Sequence, residues 1–362
     1  MKTIHVQVTV KPAAYELVIG CQLQERVAAD LKENPLGSRY AIITDTTVDE
    51  LWGEIWLRSL RNAGLTAEKF VFPAGERNKT RAVKEQLEDQ LMQRSYGRDS
   101  AILALGGGVV GDVAGFVAAT YMRGIPVVQL PTTTLAMADS SIGGKTAVDT
   151  EYGKNLIGAF HHPVRVYMDM DMLRTLDERN YRAGLAELIK HGLIMDPSIL
   201  DFLQEHMAEV QARDSAVLET LFEKNCQVKN TVVAQDDQEK GLRQILNYGH
   251  TFGHAVEVLS DFKLIHGECV SIGMDFAARL AREMGLCSEE LVLSQRAVLA
   301  ELGLPTSLPA ELDAEELLTL MKRDKKARQG TIRFVLPVAL GKVIYGEPVS
   351  EEAILNVMQR GC

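Results

Sequence analysis

The chain lacks the features that mark several large classes of protein. No apolar run approaches the roughly 18–20 residues that a transmembrane helix needs, so no membrane span is expected. Five scattered cysteines form no CxxC pair, which argues against a disulfide framework and favours a reducing cytoplasm. Residues 1–10 alternate in polarity, which predicts a strand and not a signal peptide.

The chain also has no excess of positive charge and no repetitive sequence. Its formal net charge is −10, so a nucleic acid is not an expected partner, although a small anionic substrate would need only a local basic pocket. We find no internal repeat, low-complexity tract or long linker. A length of 362 residues is enough for two globular domains.

Short apolar runs alternate with helical stretches in the first half of the chain. They lie at residues 40–44, 70–72, 101–105, 127–130 and 164–168. Fully apolar strands separated by helices are typical of a parallel sheet that is covered on both faces. The pattern predicts an α/β, Rossmann-like nucleotide-binding domain.

The pattern changes after about residue 177. Helical periods dominate residues 178–323, and residues 331–336 are expected to form a strand of a short hairpin. We therefore predict two domains. An NAD-binding α/β domain would cover residues 1–177, and a mainly α-helical metal- and substrate-binding domain residues 178–362.

Three of the eight histidines, His250, His254 and His266, lie close together in the second half. On a helix His250 and His254 share a face, where neutral imidazoles are good ligands for a divalent metal. A carboxylate from elsewhere would complete a site of two histidines and one glutamate with an open position. The sequence is not an HExxH motif, so the spacing alone leaves open that these are polar helix residues beside a turn.

A glycine-rich segment, GGGVVGD, follows one strand and precedes a helix expected over residues 113–120. Gly106, Gly108 and Gly111 satisfy GxGxxG, and such glycines let the backbone approach a pyrophosphate at a helix N-terminus. Gln129 stands where an acidic residue is expected about twenty positions later. The segment indicates a dinucleotide loop of non-standard type, with a tight strand-to-helix turn as the alternative.

Polar residues follow other strands of the expected sheet. Asp45 ends one strand, and Thr132 and Thr133 follow another. Ligands of open α/β sheets bind at such strand ends, where a carboxylate can accept from ribose hydroxyls. Threonines of this kind are also common in loops without a ligand.

The segment DSSIGGKT resembles a Walker loop only superficially. Asp139 occupies the place of the first glycine, so a P-loop is rejected. Lys145, Lys154 and Asn155 are candidate anion contacts near the same crevice. The alternative is that the lysines lie in surface loops.

Six motifs occur together in one order. They are GGGVVGD at 106–112, DSSIGGKT at 139–146, GKN at 153–155, AELIK at 186–190, NYGHTFGH at 247–254 and HGE at 266–268. From about residue 40 to residue 345 the chain closely resembles the 3-dehydroquinate synthases. These enzymes are sugar phosphate cyclases, related in fold to glycerol dehydrogenase and the metal-dependent alcohol dehydrogenases.

The resemblance implies a site between the two domains and a set of metal ligands. The ligands would be Glu187, His250 and His266, with His254 on the substrate side. The metal would be Zn²⁺, with Co²⁺ as the alternative. The resemblance also implies a homodimer in which Arg123 reaches the substrate phosphate of the neighbouring subunit.

The resemblance further implies contacts to NAD and to substrate. For NAD they are Asp45, Glu76, Lys79, Gly107, Gly108, Asp112, Thr132, Thr133, Asp139, Lys145, Lys154 and Thr175. For substrate they are Asp139, Lys145, Asn155, Lys229, Arg243, Asn247, His254 and one of Lys325 and Lys326.

The implied reaction is the second step of the shikimate pathway, which leads to chorismate and the aromatic amino acids. It converts 3-deoxy-D-arabino-heptulosonate 7-phosphate into 3-dehydroquinate and phosphate. Its stages would be transient oxidation by NAD⁺, β-elimination of phosphate, reduction and an intramolecular aldol closure. The leaving phosphate itself would take the proton, with His254 and Asn155 positioning it.

Three other functions fit parts of the pattern. One is a sister cyclase such as 2-deoxy-scyllo-inosose synthase, whose substrate has no carboxylate for Arg243, Asn247 and Lys145 to bind. The second is a metal-dependent polyol dehydrogenase, which would accumulate NADH. The third is a non-catalytic protein on the same scaffold, although every expected polar position is filled.

Overall fold

A computed structural model describes residues 14–261, 263–323 and 331–360 of the chain. The strand expected at residues 1–10 lies outside the described residues, as do Lys325 and Lys326. In the described part, no helix combines the length and the apolar character that crossing a membrane requires.

The described residues form ten strands and fourteen α-helices, numbered in chain order. The strands are β1 (Glu16–Gly20), β2 (Arg39–Asp45), β3 (Ala67–Phe72), β4 (Ser100–Gly106), β5 (Val127–Pro131), β6 (Lys145–Thr150), β7 (Gly153–Phe160), β8 (Arg165–Asp169), β9 (Ile332–Ala339) and β10 (Lys342–Val349). The helices are α1 (Gln24–Glu33), α2 (Thr46–Val48), α3 (Glu54–Asn62), α4 (Arg81–Gln93), α5 (Gly108–Thr120), α6 (Glu178–Ile194), α7 (Ser198–Glu205), α8 (Met207–Gln211), α9 (Ser215–Gln235), α10 (His250–Leu259), α11 (His266–Glu283), α12 (Glu289–Glu301), α13 (Ala314–Arg323) and α14 (Glu351–Gln359).

Six strands form one parallel sheet in the order β1-β8-β5-β4-β2-β3. Every residue of β4 is buried, because helices cover both faces of the sheet, and this explains its uninterrupted apolar sequence. All five strands predicted from apolar runs form, and the α/β fold class is confirmed. Strand β1 was not predicted.

A second pair of strands, β6 and β7, forms an antiparallel hairpin that packs against α5. The sequence analysis did not predict it, because its strands mix polar and apolar residues without a clean alternation. The hairpin has a functional consequence, since Lys145 begins β6 while Lys154 and Asn155 lie on β7. Lys145 pairs with Phe160, whereas Lys154 and Asn155 lie at a bulge near the hairpin turn, where the backbone N–H of Asn155 donates to Oδ1 of Asp149 at 2.8 Å. These residues therefore belong to the hairpin and not to surface loops.

The second half is mainly helical, as predicted, and near its end the antiparallel pair β9 and β10 precedes α14. Its core includes residues from both halves of the chain, among them Met137, Val166 and Met168 beside Leu188 and Phe252. The division at residue 177 stays a prediction. Helix α6 does begin immediately after it, with Asp177 as its N-cap.

Three helices of this half pack with their backbones almost in contact, because glycines lie where they cross. A Cβ atom on Gly273 of α11 would overlap the carbonyl oxygen of Gly249, which precedes α10. A Cβ atom on Gly267 of α11 would overlap the carbonyl oxygen of Ala183 on α6. The close approach brings the first turns of α10 and α11 against the middle of α6.

Candidate active site

The crossing of α6, α10 and α11 brings together one glutamate and two histidines. Possible ligand atoms of Glu187, His250 and His266 all lie within 4.8 Å of one another. The Nε2 atoms of His250 and His266 are each 3.6 Å from Oε1 of Glu187. His254 is not part of this donor group, and its ring centroid lies 5.3 Å from that of His250. The sequence spacing had made His250 and His254 the natural pair, and the fold pairs His250 with His266.

The donor atoms are oriented as a cation would require. The carbonyl oxygen of Tyr248 lies 3.0 Å from Nδ1 of His250, so Nδ1 carries the proton and Nε2 presents a lone pair. Neither carboxylate oxygen of Glu187 makes a hydrogen bond within the described residues, although Lys190 forms an ion pair with Oε2. Two histidines and one glutamate suit Zn²⁺ or a similar divalent ion.

The charges of the three side chains also favour a cation at this point. Burial lowers the pKa of His250 far below its usual value, so its ring is neutral. Burial would raise the pKa of Glu187, but Lys190 and the two histidines hold it well below the ordinary range. Burial would also lower the pKa of His266, yet Glu187 and Glu257 raise it to about 10. The carboxylates thus favour positive charge at this point.

Lys154 links this group to Glu76, one of the predicted NAD contacts. Its Nζ lies 2.8 Å from Oε1 of Glu257 on α10 and 2.9 Å from Oε1 of Glu76. Oε2 of Glu257 in turn lies 3.7 Å from Nδ1 of His266. One lysine of the β6–β7 hairpin therefore connects a predicted NAD contact to a predicted metal ligand.

The glycine loop forms the sharp turn from β4 into α5. Gly107 is the N-cap of α5 and Gly108 its first residue, and no side chain caps the helix. A Cβ on Gly107 would lie 3.1 Å from Thr133, and one on Gly108 would lie 3.1 Å from Ser140. Gly111 has a packing role, because a Cβ there would lie 2.9 Å from the Gln129 side chain. The backbone N–H groups of the first turn are thus accessible to an anion.

Lys79 joins two other residues predicted to lie in the site. Its Nζ is 2.5 Å from Oδ2 of Asp112 on α5 and 2.5 Å from Oδ1 of Asn155 on β7. The ammonium group is almost completely buried, and burial lowers its pKa, but Asp112 and Glu76 more than reverse this effect. Lys79 is therefore a charged, fixed group between the predicted NAD and substrate residues.

The basic residues predicted to bind substrate contact carboxylate and carbonyl groups. Nζ of Lys229 on α9 lies 2.5 Å from Oδ1 of Asp139, and the buried Arg243 donates to the carbonyl oxygen of Gly143 at 3.0 Å. Glu239 contacts both Lys145 and Asn247. The loop of Glu239 thus supplies a carboxylate to two residues predicted to bind substrate.

Other predicted residues lie at the carboxyl ends of β2 and β5, after β8, or on the turn after α5. Asp45 caps α2 by accepting from the backbone N–H of Val48 at 2.9 Å. Thr132 has a buried hydroxyl oxygen without a hydrogen-bond partner in the described residues, while Thr175 accepts from the Trp52 indole at 2.9 Å. Arg123 is exposed on the turn after α5, at φ +69°, and among the described residues it forms no ion pair or hydrogen bond with the other site residues.

Several residues of this region were not singled out from the sequence. Lys190 follows Glu187 by three positions, and Glu257 follows His250 by seven, so helical spacing could have found both. Glu239 has no such signal, because it acts from an irregular loop. His191 and Asn225, which form a hydrogen bond of 2.5 Å, come from different helices and could not be paired by sequence.

Two family models match consecutive parts of the chain. The one described as 3-dehydroquinate synthase N-terminal matches residues 69–183, and 3-dehydroquinate synthase C-terminal matches residues 184–327. The 3-dehydroquinate synthase of Symbiobacterium thermophilum is 45% identical over 94% of this chain and 96% of its own. That of Desulforamulus reducens is 43% identical over 98% and 99%.

Solved structures of sugar phosphate cyclases share the whole fold. A 2-deoxy-scyllo-inosose synthase complexed with carbaglucose-6-phosphate, NAD⁺ and Co²⁺ has a TM-score of 0.89 at 28% identity, covering 96% of both chains. A 2-epi-5-epi-valiolone synthase from Streptomyces hygroscopicus with NAD⁺ and Zn²⁺ bound has a TM-score of 0.90 at 28% identity, covering 98% of this chain and 99% of its own. A probable glycerol dehydrogenase from Sinorhizobium meliloti shares the fold alone, with a TM-score of 0.68 at 15% identity, covering 96% of this chain and 98% of its own.

Proposed function

The chain belongs to the 3-dehydroquinate synthase family of sugar phosphate cyclases, and on that basis we propose the reaction and the residues that carry it. It is a lyase of the shikimate pathway that acts on 3-deoxy-D-arabino-heptulosonate 7-phosphate in the cytoplasm. Its products are 3-dehydroquinate and phosphate. NAD⁺ and a divalent metal are its cofactors, with Zn²⁺ as the first choice and Co²⁺ as the alternative.

Glu187, His250 and His266 would hold the metal. The geometry of the cluster supports this assignment. The two buried carboxylate oxygens of Glu187 lie close to Nε2 of the neutral His250 ring, and none of these atoms makes a hydrogen bond among the described residues. When bound, the metal supplies Lewis acidity and NAD⁺ a reversible hydride acceptor. The carboxylate of Glu257 faces Nδ1 of His266 at 3.7 Å, so it would hold the ring with Nε2 toward the metal.

The nucleotide would lie along the carboxyl ends of β2, β4 and β5. The first turn of α5, with Gly107 and Gly108, offers N–H groups to the pyrophosphate. Glu76, Lys79 and Lys154 form the opposite wall, and their ion pairs hold them in place. Asp45 and the threonines after β5 complete the predicted contacts.

The substrate would lie between this wall and the metal ligands. Lys145, Lys229 and Arg243 supply the cations that a phosphate and a carboxylate need, while Asn155 and Asn247 supply neutral donors. The phosphate would take the proton that is lost before elimination. His254, Asn155 and one of Lys325 and Lys326 would position it.

The observation that carries this proposal is the position of Lys154. It forms ion pairs with Glu76, a proposed NAD contact, and with Glu257, which lies beside the proposed metal ligand His266. We would incubate the metal-loaded protein with the heptulosonate phosphate and a catalytic amount of NAD⁺. Phosphate release without net NADH, abolished by a chelator and restored by metal, is the expected result.

Other outcomes would identify a different enzyme. NADH that accumulates in step with substrate would indicate a polyol dehydrogenase. Phosphate release from glucose 6-phosphate, with none from the heptulosonate phosphate, would indicate an inosose synthase. We also propose that the active species is a homodimer in which Arg123 reaches the phosphate of the neighbouring subunit, as the family resemblance implies; its exposure is compatible with this role.

A further inference from the structure

His191 is a buried histidine beside the proposed metal ligands to which no function has been assigned above. It lies one turn after Glu187 on α6, and its side chain is fully buried. Asn225 of α9 donates through Nδ2 to the carbonyl oxygen of Ala138 at 2.9 Å, so its Oδ1 faces His191. Because that oxygen can only accept, Nδ1 of His191 carries the proton and Nε2 has a lone pair.

This lone pair has no hydrogen-bond partner among the described residues. Burial lowers the pKa of His191 to about 4, which agrees with a neutral ring. Folded proteins rarely leave a buried acceptor unpaired, since its lost hydration is not replaced. We therefore expect Nε2 of His191 to accept a hydrogen bond from some donor in the active enzyme.

The groups around His191 show which donors lie near its Nε2 atom. A ring nitrogen lies within 4.8 Å of carboxylate oxygens of Asp139 and Glu187, which hold the buried ammonium groups of Lys229 and Lys190. A second metal ion at this point is disfavoured, because the two ammonium groups already neutralise the two carboxylates. Besides ordered water, the donors next to this group are the two ammonium groups.

Of the two lysines, Lys190 has the greater need of an acceptor. Lys229 contacts both the carboxylate and the carbonyl oxygen of Asp139. Lys190 has an ion pair with Glu187, whose oxygens the metal would also need. A lysine and a metal ion that share one carboxylate compete for it.

We propose that His191 is a positioning residue whose Nε2 accepts a hydrogen bond from Lys190 and so frees Glu187 for the metal ion. Asn225 fixes the tautomer that makes this possible. The inference rests on the proposed assignment of Glu187 as a metal ligand. It concerns metal affinity, which can be measured without turnover.

Two substitutions separate the two ring nitrogens. His191→Gln keeps a polar group near the Nε2 position, while His191→Asn keeps one near the Nδ1 position, facing Asn225. Zn²⁺ affinity would be measured by competition with a chelator, beside thermal unfolding of each variant. We expect His191→Asn to bind Zn²⁺ about ten- to a hundredfold more weakly and His191→Gln to stay within about threefold of the parent chain. If His191→Gln instead bound Zn²⁺ more weakly than His191→Asn, His191 would act only by supporting Asn225. That result would overturn the inference.

A double-mutant cycle tests whether Lys190 is the intermediary, even if one variant is unstable. In a Lys190→Met background no ammonium competes for Glu187, so His191→Asn should no longer weaken Zn²⁺ binding. An equal loss in both backgrounds would overturn the inference and leave the metal assignment intact. If Glu187→Gln and His250→Ala bind Zn²⁺ as tightly as the parent chain, the metal assignment fails and the inference fails with it.

Discussion

At the scale of single residues, Glu257 connects the proposed metal ligand His266 to Lys154. Its carboxylate is almost buried, lies near Nδ1 of His266 and forms an ion pair with Lys154. Such partners fix the tautomer and the direction of a ligating histidine. We predict that Glu257→Gln weakens Zn²⁺ binding about ten- to a hundredfold, measured by chelator competition. Glu283→Gln, at the far end of α11, is the matched control, and an equal loss in both variants would contradict the role of Glu257.

His254 should behave in the opposite way. Its ring lies beside His250 but outside the donor group that contains Glu187 and His266. His254→Ala should lower phosphate release by about a hundredfold or more, while the bound metal stays near one ion per site. Metal content and turnover would be measured on the same preparation. Loss of the metal would show that His254 belongs to the ligands after all.

At the scale of elements, the start of α6 sets the position of Glu187. Asp177 caps this helix by accepting from the backbone N–H and the side-chain amide of Asn180, at 3.0 Å and 2.7 Å. Partial burial would raise the pKa of Asp177, but these hydrogen bonds lower it. Asp177→Ala should lower the free energy of unfolding by about 1 kcal/mol at neutral pH.

The sign of the pKa shift gives the pH dependence of this effect. A carboxylate whose pKa is lower in the folded state stabilises the fold above the unfolded pKa of about 4, and the contribution is lost as pH falls through the folded value. The difference between the parent chain and Asp177→Ala should therefore shrink as pH falls below about 4. Urea unfolding at several pH values would measure it. The difference between Asp177→Asn, which caps without a charge, and Asp177→Ala should show no such change with pH.

The close backbone contact between α11 and the turn before α10 can be tested by substituting Gly273. Gly→Ala within a helix normally stabilises by about 1 kcal/mol. Gly273→Ala would instead press on the carbonyl oxygen of Gly249, directly before His250. We expect a loss of about 1–3 kcal/mol in the free energy of unfolding, together with weaker Zn²⁺ binding.

Gly192→Ala on α6 is the control for Gly273→Ala. A Cβ there would lie 2.6 Å from the side chain of Leu200, which can repack, and not against backbone. Gly192→Ala should therefore lower stability with little effect on Zn²⁺ affinity. Equal metal loss in the two variants would mean that general destabilisation, and not the helix crossing, weakens the site.

At the scale of the whole molecule, a complementation experiment tests the homodimer. Arg123→Ala and His254→Ala would each be inactive, but a mixed dimer would contain one site with both residues intact if Arg123 acts across the interface. After the two variants are unfolded and refolded together, about a quarter of the parent activity should return. No recovery, with mixed dimers demonstrated by mass spectrometry, would place Arg123 in its own subunit's site or outside any site.

The sequence by itself determined much of the molecule. Apolar runs that end in polar residues predicted five strands of the parallel sheet, because a strand covered on both faces must be apolar throughout. Helical periodicity predicted the second half. The GGGVVGD loop and the ordered motifs identified the family, because these are local patterns that a chain displays in one dimension.

Tertiary structure decided which side chains meet. Sequence spacing favoured His250 with His254, whereas the crossing of α10 and α11 pairs His250 with His266, because glycine lets the two backbones touch. The β6–β7 hairpin escaped prediction because its polarity does not alternate cleanly, yet it carries Lys154 between Glu76 and Glu257. The pairing of His191 with Asn225 likewise depends on the packing of α6 against α9. Contacts between distant segments depend on how helices and strands pack, and no local pattern records that packing.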